Sequence, residues 1–277
     1  YHLTQTVIDY EHAVLLNESG YRVRVHLKID SGMHRLGFSA ENLPKAAAVF
    51  QMDALDICGI YTHLCAADSL AEQDVLFTKQ QIASFYKLLQ GLKEQGLVLP
   101  PVHIQSSYGL LNYPELSCDY VRAGIALYGS LSGAGDRTKM QLDLRPVLSL
   151  KSQIIHVTEL KEGESAGYGR AFVADRRMKL AVVPIGYADG IPRSLSCGHS
   201  KVLINGQYAP IVGRVCMDQL IIDITDVSGA VRGMVVTLIG QDHENKLRAV
   251  DLSEESHSIA NELLSRLGRR LEVVYNY

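Results

Sequence analysis

The sequence has little of the features that mark several specialised classes of protein. Its 27 basic and 30 acidic residues nearly balance, which gives a formal net charge of −3. So small an imbalance provides no electrostatic basis for binding nucleic acid or an anionic membrane surface. No apolar run approaches the roughly 20 residues that a helix needs to cross a bilayer. The first residues also differ from a secretory signal peptide.

The cysteines show no spacing pattern. There are five of them, scattered and without a C-x-x-C pair. This distribution argues against a disulfide framework or a zinc site and favours a reducing compartment. We therefore expect a soluble, cytoplasmic domain with no metal. Because the chain does not begin with Met, it is also compatible with a fragment that an upstream segment tethers to a membrane.

The first half of the chain alternates between strand and helix patterns. At 277 residues and 47% hydrophobic content the chain has room for two domains. Apolar periodicity predicts helices over 1–20, 42–51 and 71–95, and strands over 22–30, 57–64, 102–107 and 120–129. This repetition is typical of a parallel sheet with right-handed crossovers. Only about four units occur where a (β/α)8 barrel needs eight, so we expect the second half of a TIM-type barrel, with the first half upstream of Tyr1.

The second half of the chain has a different pattern. After a linker at Leu131–Arg145, alternating strands predominate, and an Asn205-Gly206 pair indicates a type I′ hairpin. Strands are predicted at 148–160, 179–185, 201–204, 208–215, 220–224 and 234–239. A closing helix is predicted over 249–267, with Ser253, Glu254 and Glu255 near its N-terminal end. The fold class is thus α/β plus all-β, with domains at 1–142 and 143–277.

Polar residues follow several of the predicted strands of the first domain. In barrels of this type the C-terminal ends of the strands carry the chemistry, and Arg35, His63, Ser107 and Gly124 lie at or just past such ends. The stretch Val121–Gly129 combines an arginine with a glycine whose open backbone amides suit a phosphate. Taken alone, it is equally compatible with a core strand that carries a structural ion pair.

Six segments together resemble the alanine racemase family, which comprises fold-type III enzymes that use pyridoxal 5′-phosphate. They occur in the family's order and span nearly the whole chain: 25–37, 61–64, 121–129, 167–169, 184–190 and 213–218. The resemblance implies that Arg122 donates to the pyridine nitrogen of the cofactor. It also implies that Ser107 and the amides of Gly124 and Ile125 hold the phosphate. Ser106 stands where the family usually has an asparagine.

The resemblance further implies a two-base reaction in a homodimer with shared active sites. By this resemblance Tyr168 is the second catalytic base and in dimers comes from the partner subunit. His63 supplies the hydrogen bond to this tyrosine and also belongs to the cofactor-binding residues. Arg35 contacts the cofactor's phenolic oxygen and the substrate carboxylate. Lys28 matches a lysine that is carbamylated in the family and orients that arginine. Tyr187 and the backbone of Met217 match the substrate entrance and a carboxylate contact.

Two departures from the family pattern bear on function. The Schiff-base lysine normally lies in an N-terminal Lys-x-x-x-Tyr-Gly motif, and no such motif occurs in this sequence. The family normally places a tyrosine where the alignment gives Asn261. A short amide in place of a phenol opens volume and adds hydrogen-bonding groups, so we predict that the pocket accepts a hydroxyl-bearing substrate.

The resulting hypothesis is a racemase that depends on pyridoxal 5′-phosphate and interconverts L- and D-serine, and also L- and D-alanine. The product would be a D-amino acid for cell-wall peptidoglycan precursors. The chain resembles the catalytic part of the membrane serine racemases of vancomycin resistance. The alternatives are an alanine racemase proper, a decarboxylase or broad-spectrum racemase of the same fold type, and a non-catalytic cofactor-binding fragment.

Overall fold

The chain forms two compact units. The computed structural model describes residues 3–268 and 270–275. The first unit comprises the residues up to Gly124 together with Asp136–Asp143, and the second comprises Ile125–Gly135 and the residues from Leu144 onward. The domain boundary predicted at residues 142 and 143 stays a prediction. Among the described residues, none of the helices combines the length and the apolar character needed to cross a membrane.

The first unit is a parallel sheet with intervening helices. Its strands are β1 (Gln5–Val7), β2 (Val23–Asp30), β3 (Phe38–Ser39), β4 (Leu55–Tyr61) and β5 (Val102–His103). Its helices are α1 (Tyr10–Asn17), α2 (Leu43–Val49), α3 (Glu72–Glu94) and α4 (Ser107–Asn112). The strand order is β1-β2-β4-β5, with β3 beside β2, and every pairing is parallel. The predicted α/β architecture with a parallel sheet is confirmed.

Apolar residues of β2 and α3 supply much of this unit's core. On β2, the side chains of Val25, Leu27 and Ile29 are fully buried, as expected for a strand in the interior of a parallel sheet. On α3, the buried residues include Phe85, Leu89 and Leu92, which recur at helical spacing. The predicted helix over 71–95 is therefore confirmed.

Two of the predicted elements of the first half are wrong. The residues up to 20 do not form one helix, because β1 pairs with β2 before α1 begins, and Val7 lies buried opposite Leu27. The stretch 120–129 is not a strand. Its only regular element is a 3₁₀ turn over Ile125–Tyr128, which belongs to the second unit. A short apolar run alone does not identify a strand.

The second unit is built on antiparallel strands. They are β6 (Leu150–Gln153), β7 (His156–Leu160), β8 (Ser165–Ala166), β9 (Phe172–Val173), β10 (Met178–Val183), β11 (Lys201–Ile204), β12 (Gln207–Val212), β13 (Leu220–Asp223), β14 (Val235–Asp242) and β15 (Asn245–Leu247). Eight of them form one sheet in the order β15-β14-β11-β12-β13-β10-β7, with β6 beside β14, and β8 pairs with β9. The predicted antiparallel β domain is confirmed.

The hairpin between β11 and β12 turns at Asn205 and Gly206, which have φ of 50° and 73°. Both values are those of a type I′ turn, as predicted. The predicted strand over 148–160 is instead two strands, β6 and β7, which pair with different neighbours. Ile154, between them, is buried in the core.

The predicted closing helix over 249–267 is two helices, α5 (Ala249–Glu255) and α6 (Ala260–Arg266). His257 adopts a positive φ of 58° between them, which ends the first helix. The acidic residue in the first turn of α5 is Asp251, whose carboxylate accepts from the Arg248 backbone amide. Ser253 is buried, and its hydroxyl donates to the Val250 carbonyl. The predicted N-terminal role of Ser253, Glu254 and Glu255 is therefore wrong.

Candidate functional site

Arg122 is the centre of a polar cluster in the first unit. Its backbone N–H donates to the Gln105 carbonyl, which brings the side chain alongside the C-terminal ends of β4 and β5. The guanidinium Nη2 then donates to the carbonyls of Thr62 and Ile104, at 2.8 and 3.0 Å. These two bonds hold a half-buried cation in one orientation.

The remaining partners of Arg122 are imidazoles. Nη1 lies 2.5 Å from His103 Nδ1, and Nη2 lies 3.2 Å from His63 Nδ1. The guanidinium carbon is also 5.0 Å from the centre of the Tyr61 ring. Over residues 3–268 and 270–275, no carboxylate pairs with Arg122. The structural ion pair that the sequence left open as an alternative is therefore absent from the described structure.

These contacts determine the protonation state of His103. Arginine is only a hydrogen-bond donor, so His103 Nδ1, which faces Nη1, must accept, and this neutral ring carries its proton on Nε2. Nη2 has two hydrogens, which it donates to the two carbonyls, so its contact with His63 Nδ1 is a shared, weaker one and does not fix the tautomer of His63. The Nε2 atom of His103 in turn lies 2.9 Å from His26 Nδ1, so it donates to that nitrogen.

Burial and neighbouring cations keep the histidines neutral. Burial and the charge of Arg122 lower the pKa of His63 to about 4, and Lys28 and Arg35 contribute in the same direction. The same two leading causes lower the pKa of His103 to about 4. An arginine surrounded by neutral lone pairs keeps its whole charge.

Lys28 lies in the same row of the sheet. Register pairs Lys28 with Tyr61, and Tyr61 with His103, so the three side chains share one face of β2, β4 and β5. Lys28 is 6% exposed, its Nζ donates to the Ile29 carbonyl at 3.2 Å, and Nζ is 5.1 Å from the Tyr61 ring centre. Burial, followed by the charge of Arg122, lowers the pKa of Lys28 to about 8. The lowered pKa increases the fraction of neutral amine near neutral pH.

The loop after β2 presents Arg35. Asp30 Oδ1 accepts hydrogen bonds from the amides of Gly32, Met33 and His34, each at 3.0 Å. A carboxylate that accepts three amide bonds fixes the backbone of the loop. Arg35 follows immediately and its side chain is exposed. The guanidinium is thus available to an anionic group.

Ser107 and Gly124 are also brought together. Ser107 begins α4 rather than ending a strand, and it is 3% exposed. Its Oγ accepts from the Gly124 amide at 2.9 Å, so the amide expected to face a phosphate bonds to the serine hydroxyl here. Ser106 precedes the helix and makes no side-chain cap bond. Ile125 begins the 3₁₀ turn of the second unit and is buried.

The other predicted residues lie in the second unit. Tyr168 is 70% exposed on a 3₁₀ turn between Gly167 and Gly169, whose φ values are 75° and 70°. Tyr187 and Met217 are exposed neighbours: the Tyr187 amide donates to the carbonyl of Cys216 at 3.0 Å, and the following amide donates to that of Met217 at 2.8 Å. Asn261 is exposed near the start of α6. The relation of Tyr168 to His63 stays a prediction.

The sequence did not reveal three members of the cluster: His26, Tyr61 and His103. A signal existed for His26, because residues 26 and 28 fall on the same face of a strand. The pairing of His103 with Tyr61 required the sheet register, which the sequence does not give. In the part of the chain that is described, His, Cys, Asp and Glu form no group suited to a metal ion.

Comparisons with known proteins point in one direction. The family model described as "Alanine racemase, N-terminal domain" matches residues 1–132, and "Alanine racemase, C-terminal domain" matches residues 147–275. An amino-acid racemase from Enterococcus faecalis is 50% identical over 99% of the chain, and a serine/alanine racemase from Enterococcus gallinarum is 40% identical over 98%. The chain spans 38% of the length of each of these two relatives.

A solved structure supports the same relationship. The alanine racemase from Bacillus anthracis with bound L-Ala-P matches 96% of this chain and 68% of its own, with a TM-score of 0.87 and 30% sequence identity. At that identity the likeness extends beyond the general fold.

The neutral histidines make stability depend on pH. Between about 4 and 6.5 the unfolded chain binds more protons than the folded one, because the pKa values of His63 and His103 are about 4 in the fold and about 6.5 when exposed. The free energy of unfolding should therefore fall as pH is lowered through this range, by at most about 1.4 kcal/mol per pH unit for each group. Urea unfolding between pH 4 and 7.5 measures it.

The test variant is His103→Gln, which removes one titrating ring. The control is His156→Gln, at an exposed position of β7. The first variant should lose less stability on acidification than the unaltered protein, and the second should follow the unaltered protein. Equal pH slopes for all three would contradict the assignment of His103.

Proposed function

Because the chain belongs to the alanine racemase family, we propose that it acts in an amino-acid racemase that uses pyridoxal 5′-phosphate. The proposed substrates are serine and alanine, whose D-forms would supply cell-wall precursors. The observation that carries the proposal is Arg122, a half-buried guanidinium with four neutral acceptors and, among the described residues, no carboxylate partner.

The residues present fit the cofactor. It brings an anionic phosphate and a pyridine nitrogen, and the cluster supplies a surplus of positive charge from Lys28, Arg35 and Arg122. Arg122 would donate to the ring nitrogen. Ser107, Ser106 and the amides of Gly124 and Ile125 would hold the phosphate, which would replace the bond between the Gly124 amide and Ser107 Oγ. When bound, the cofactor withdraws electrons from the substrate's Cα and so makes its proton acidic.

The arginine also determines which reaction follows. Since Arg122 does not surrender its proton, it would leave the ring nitrogen of the bound cofactor unprotonated and a weaker electron sink than one paired with a carboxylate. Weak withdrawal favours return of the proton to Cα over other outcomes. Arg122 also disfavours the decarboxylase alternative, because decarboxylases of this fold type usually place a carboxylate on the ring nitrogen.

Inversion at Cα needs a base on each face, and we assign Tyr168 to one of them. Its exposed ring projects from a tight turn between two glycines, which suits a residue that completes the site of a second subunit in a homodimer. His63 would hydrogen-bond its hydroxyl through Nε2. Arg35 would position the substrate carboxylate, and Tyr187 and the Met217 backbone, in the second unit, match the substrate entrance and a carboxylate contact. The first unit would form part of a TIM-type barrel.

The function is tested with the complete gene product that contains this chain. With added pyridoxal 5′-phosphate it should interconvert L- and D-serine and L- and D-alanine, measured by chiral chromatography. Tyr168→Phe should lower kcat by roughly 10²- to 10⁴-fold, because it removes a proton donor and acceptor. Tyr208→Phe on β12 is the control. No racemisation of either amino acid, or full activity in Tyr168→Phe, would contradict the proposal.

Lys28 is proposed to be carbamylated. Its neutral amine would attack carbon dioxide and form a C–N bond as one C=O π bond opens onto oxygen. Loss of one proton from the nitrogen would leave an anionic carbamate. Near-complete burial and the pKa of about 8 favour this reaction, and Arg35 and Arg122 would stabilise the new anion.

With ¹³C-bicarbonate, NMR should show a carbamate resonance that grows as pH rises through about 8, because the amine must be neutral. Lys28→Met should abolish this resonance. Lys151→Met, at an exposed position of β6, should leave it unchanged. A spectrum without any signal that depends on Lys28 excludes the modification.

Asn261 is proposed to favour serine. The backbone around it is fixed, because the Ala260 amide donates to the Ser132 carbonyl at 2.9 Å. The Asn261 amide makes no side-chain hydrogen bond within the described part of the chain, so it is available to a substrate hydroxyl. The named activity of the Enterococcus gallinarum relative, a serine/alanine racemase, supports the same substrate pair.

Asn261→Tyr should therefore shift the ratio of kcat/KM for serine to that for alanine toward alanine. A lost hydrogen bond and reduced volume should change this ratio roughly tenfold, about 1.4 kcal/mol. Ser265→Tyr, one turn later on α6, controls for adding a ring to this helix. If neither variant changes the ratio of kcat/KM for serine to that for alanine, Asn261 does not determine the substrate preference.

A further inference from the structure

The cluster contains two histidines to which the proposed reaction gives no role. His26 Nδ1 lies 2.9 Å from His103 Nε2, and His103 Nδ1 lies against Arg122 Nη1. The rings of the two histidines are 5.0 Å apart and tilted by 52°. Together they form a continuous chain of hydrogen bonds that ends on the guanidinium.

The pairing of β2 with β4 leaves space for the His26 ring. A side chain at Gly59 would place its Cβ 2.6 Å from the His26 imidazole. This distance is shorter than the contacts that Cβ atoms make with non-bonded atoms in proteins. The pairing of β2 with β4 also shifts between Val25, opposite Ile57, and His26, opposite Gly59. This bulge leaves Cys58 as an extra residue and brings the one residue without a side chain opposite the ring.

The second ring is fixed by stacking. Tyr61 lies parallel to His103, with ring centres 4.7 Å apart and 9° between the planes. The Tyr61 hydroxyl is itself 3.1 Å from Thr6 Oγ1 on β1. The plane of the His103 imidazole, and with it the direction of its Nδ1 lone pair, is thus set by neighbouring strands.

The direction of donation along the chain is unambiguous. Arg122 donates to His103, and His103 donates to His26, because the guanidinium has no acceptor. The charged groups that act on His26 are Arg24 and Arg122, and those that act on His103 are Arg122 and Lys28. All are cations, so a proton added to either ring would be repelled from every side.

From this geometry we propose that His26 and His103 are positioning residues, a neutral imidazole relay that aims the Arg122 guanidinium. A carboxylate in the same place would also hold Arg122, but it would pair with the guanidinium and cancel its charge. Two neutral rings hold it with the charge intact. This inference rests on the proposed function in one respect: the group that Arg122 would contact is the cofactor's ring nitrogen.

The relay is tested first without cofactor. Nitrogen-15 NMR of the histidine side chains, assigned with His26→Gln and His103→Gln, should show both rings neutral and protonated on Nε2 at pH 7. Arg122→Met should release His103 from this tautomer. A proton on Nδ1 of His103 in the unaltered protein would overturn the relay, whatever the enzymatic activity.

The second measurement uses the complete gene product with pyridoxal 5′-phosphate. His103→Leu should lower kcat roughly 10- to 100-fold through misplacement of Arg122, leave KM for the amino acid within about twofold, and alter the pH titration of the cofactor's visible absorption. His103→Gln, which still accepts from Arg122, should restore most of both properties. His156→Gln should match the unaltered protein.

Gly59→Ala provides a variant that touches none of the polar groups. It should displace His26 and produce the same spectral change as His26→Leu, in a weaker form. If cofactor binding and racemisation are normal in all the His26, His103 and Gly59 variants, the relay is wrong and the proposed function stands. If the predicted tautomers are found but no cofactor binds, the relay stands and the proposed function fails.

Discussion

The cluster in the first unit depends on a guanidinium held by neutral acceptors. Two backbone carbonyls and two imidazole nitrogens surround Arg122, and none of these carries a compensating negative charge. Desolvation of a cation is costly unless its hydrogen bonds are satisfied. Here neutral acceptors surround the guanidinium while its charge remains, and burial together with that charge lowers the pKa values of His63, His103 and Lys28.

The parallel sheet is what makes the arrangement possible. Neighbouring parallel strands place residues in rows, and one row runs through Lys28, Tyr61 and His103. The tyrosine between the two nitrogen-bearing side chains packs against both, so the row is rigid. The bulge at Gly59 then adds His26 behind it. Local geometry, rather than any single motif, produces an electropositive site with neutral histidines.

The sequence predicted the elements whose pattern is long or whose chemistry is specific. The helix α3 repeats its apolar residues over many turns, and Asn205-Gly206 permits few conformations other than the observed turn. Short apolar stretches were ambiguous, so 120–129 was assigned as a strand and β1 as part of a helix. Among the candidate residues, Lys28, His63 and Arg122 were predicted and do meet. His26 and His103 were missed, since they are 77 residues apart and only the sheet register joins them.

Arg122 is proposed to keep the cofactor's ring nitrogen unprotonated. The direct test is nitrogen-15 NMR of the complete gene product loaded with pyridoxal 5′-phosphate labelled at the ring nitrogen. We predict the shift of an unprotonated pyridine nitrogen at pH 7 in the unaltered protein, and that of a protonated one in Arg122→Glu, where a carboxylate replaces the guanidinium. A protonated ring nitrogen in the unaltered protein would contradict the account.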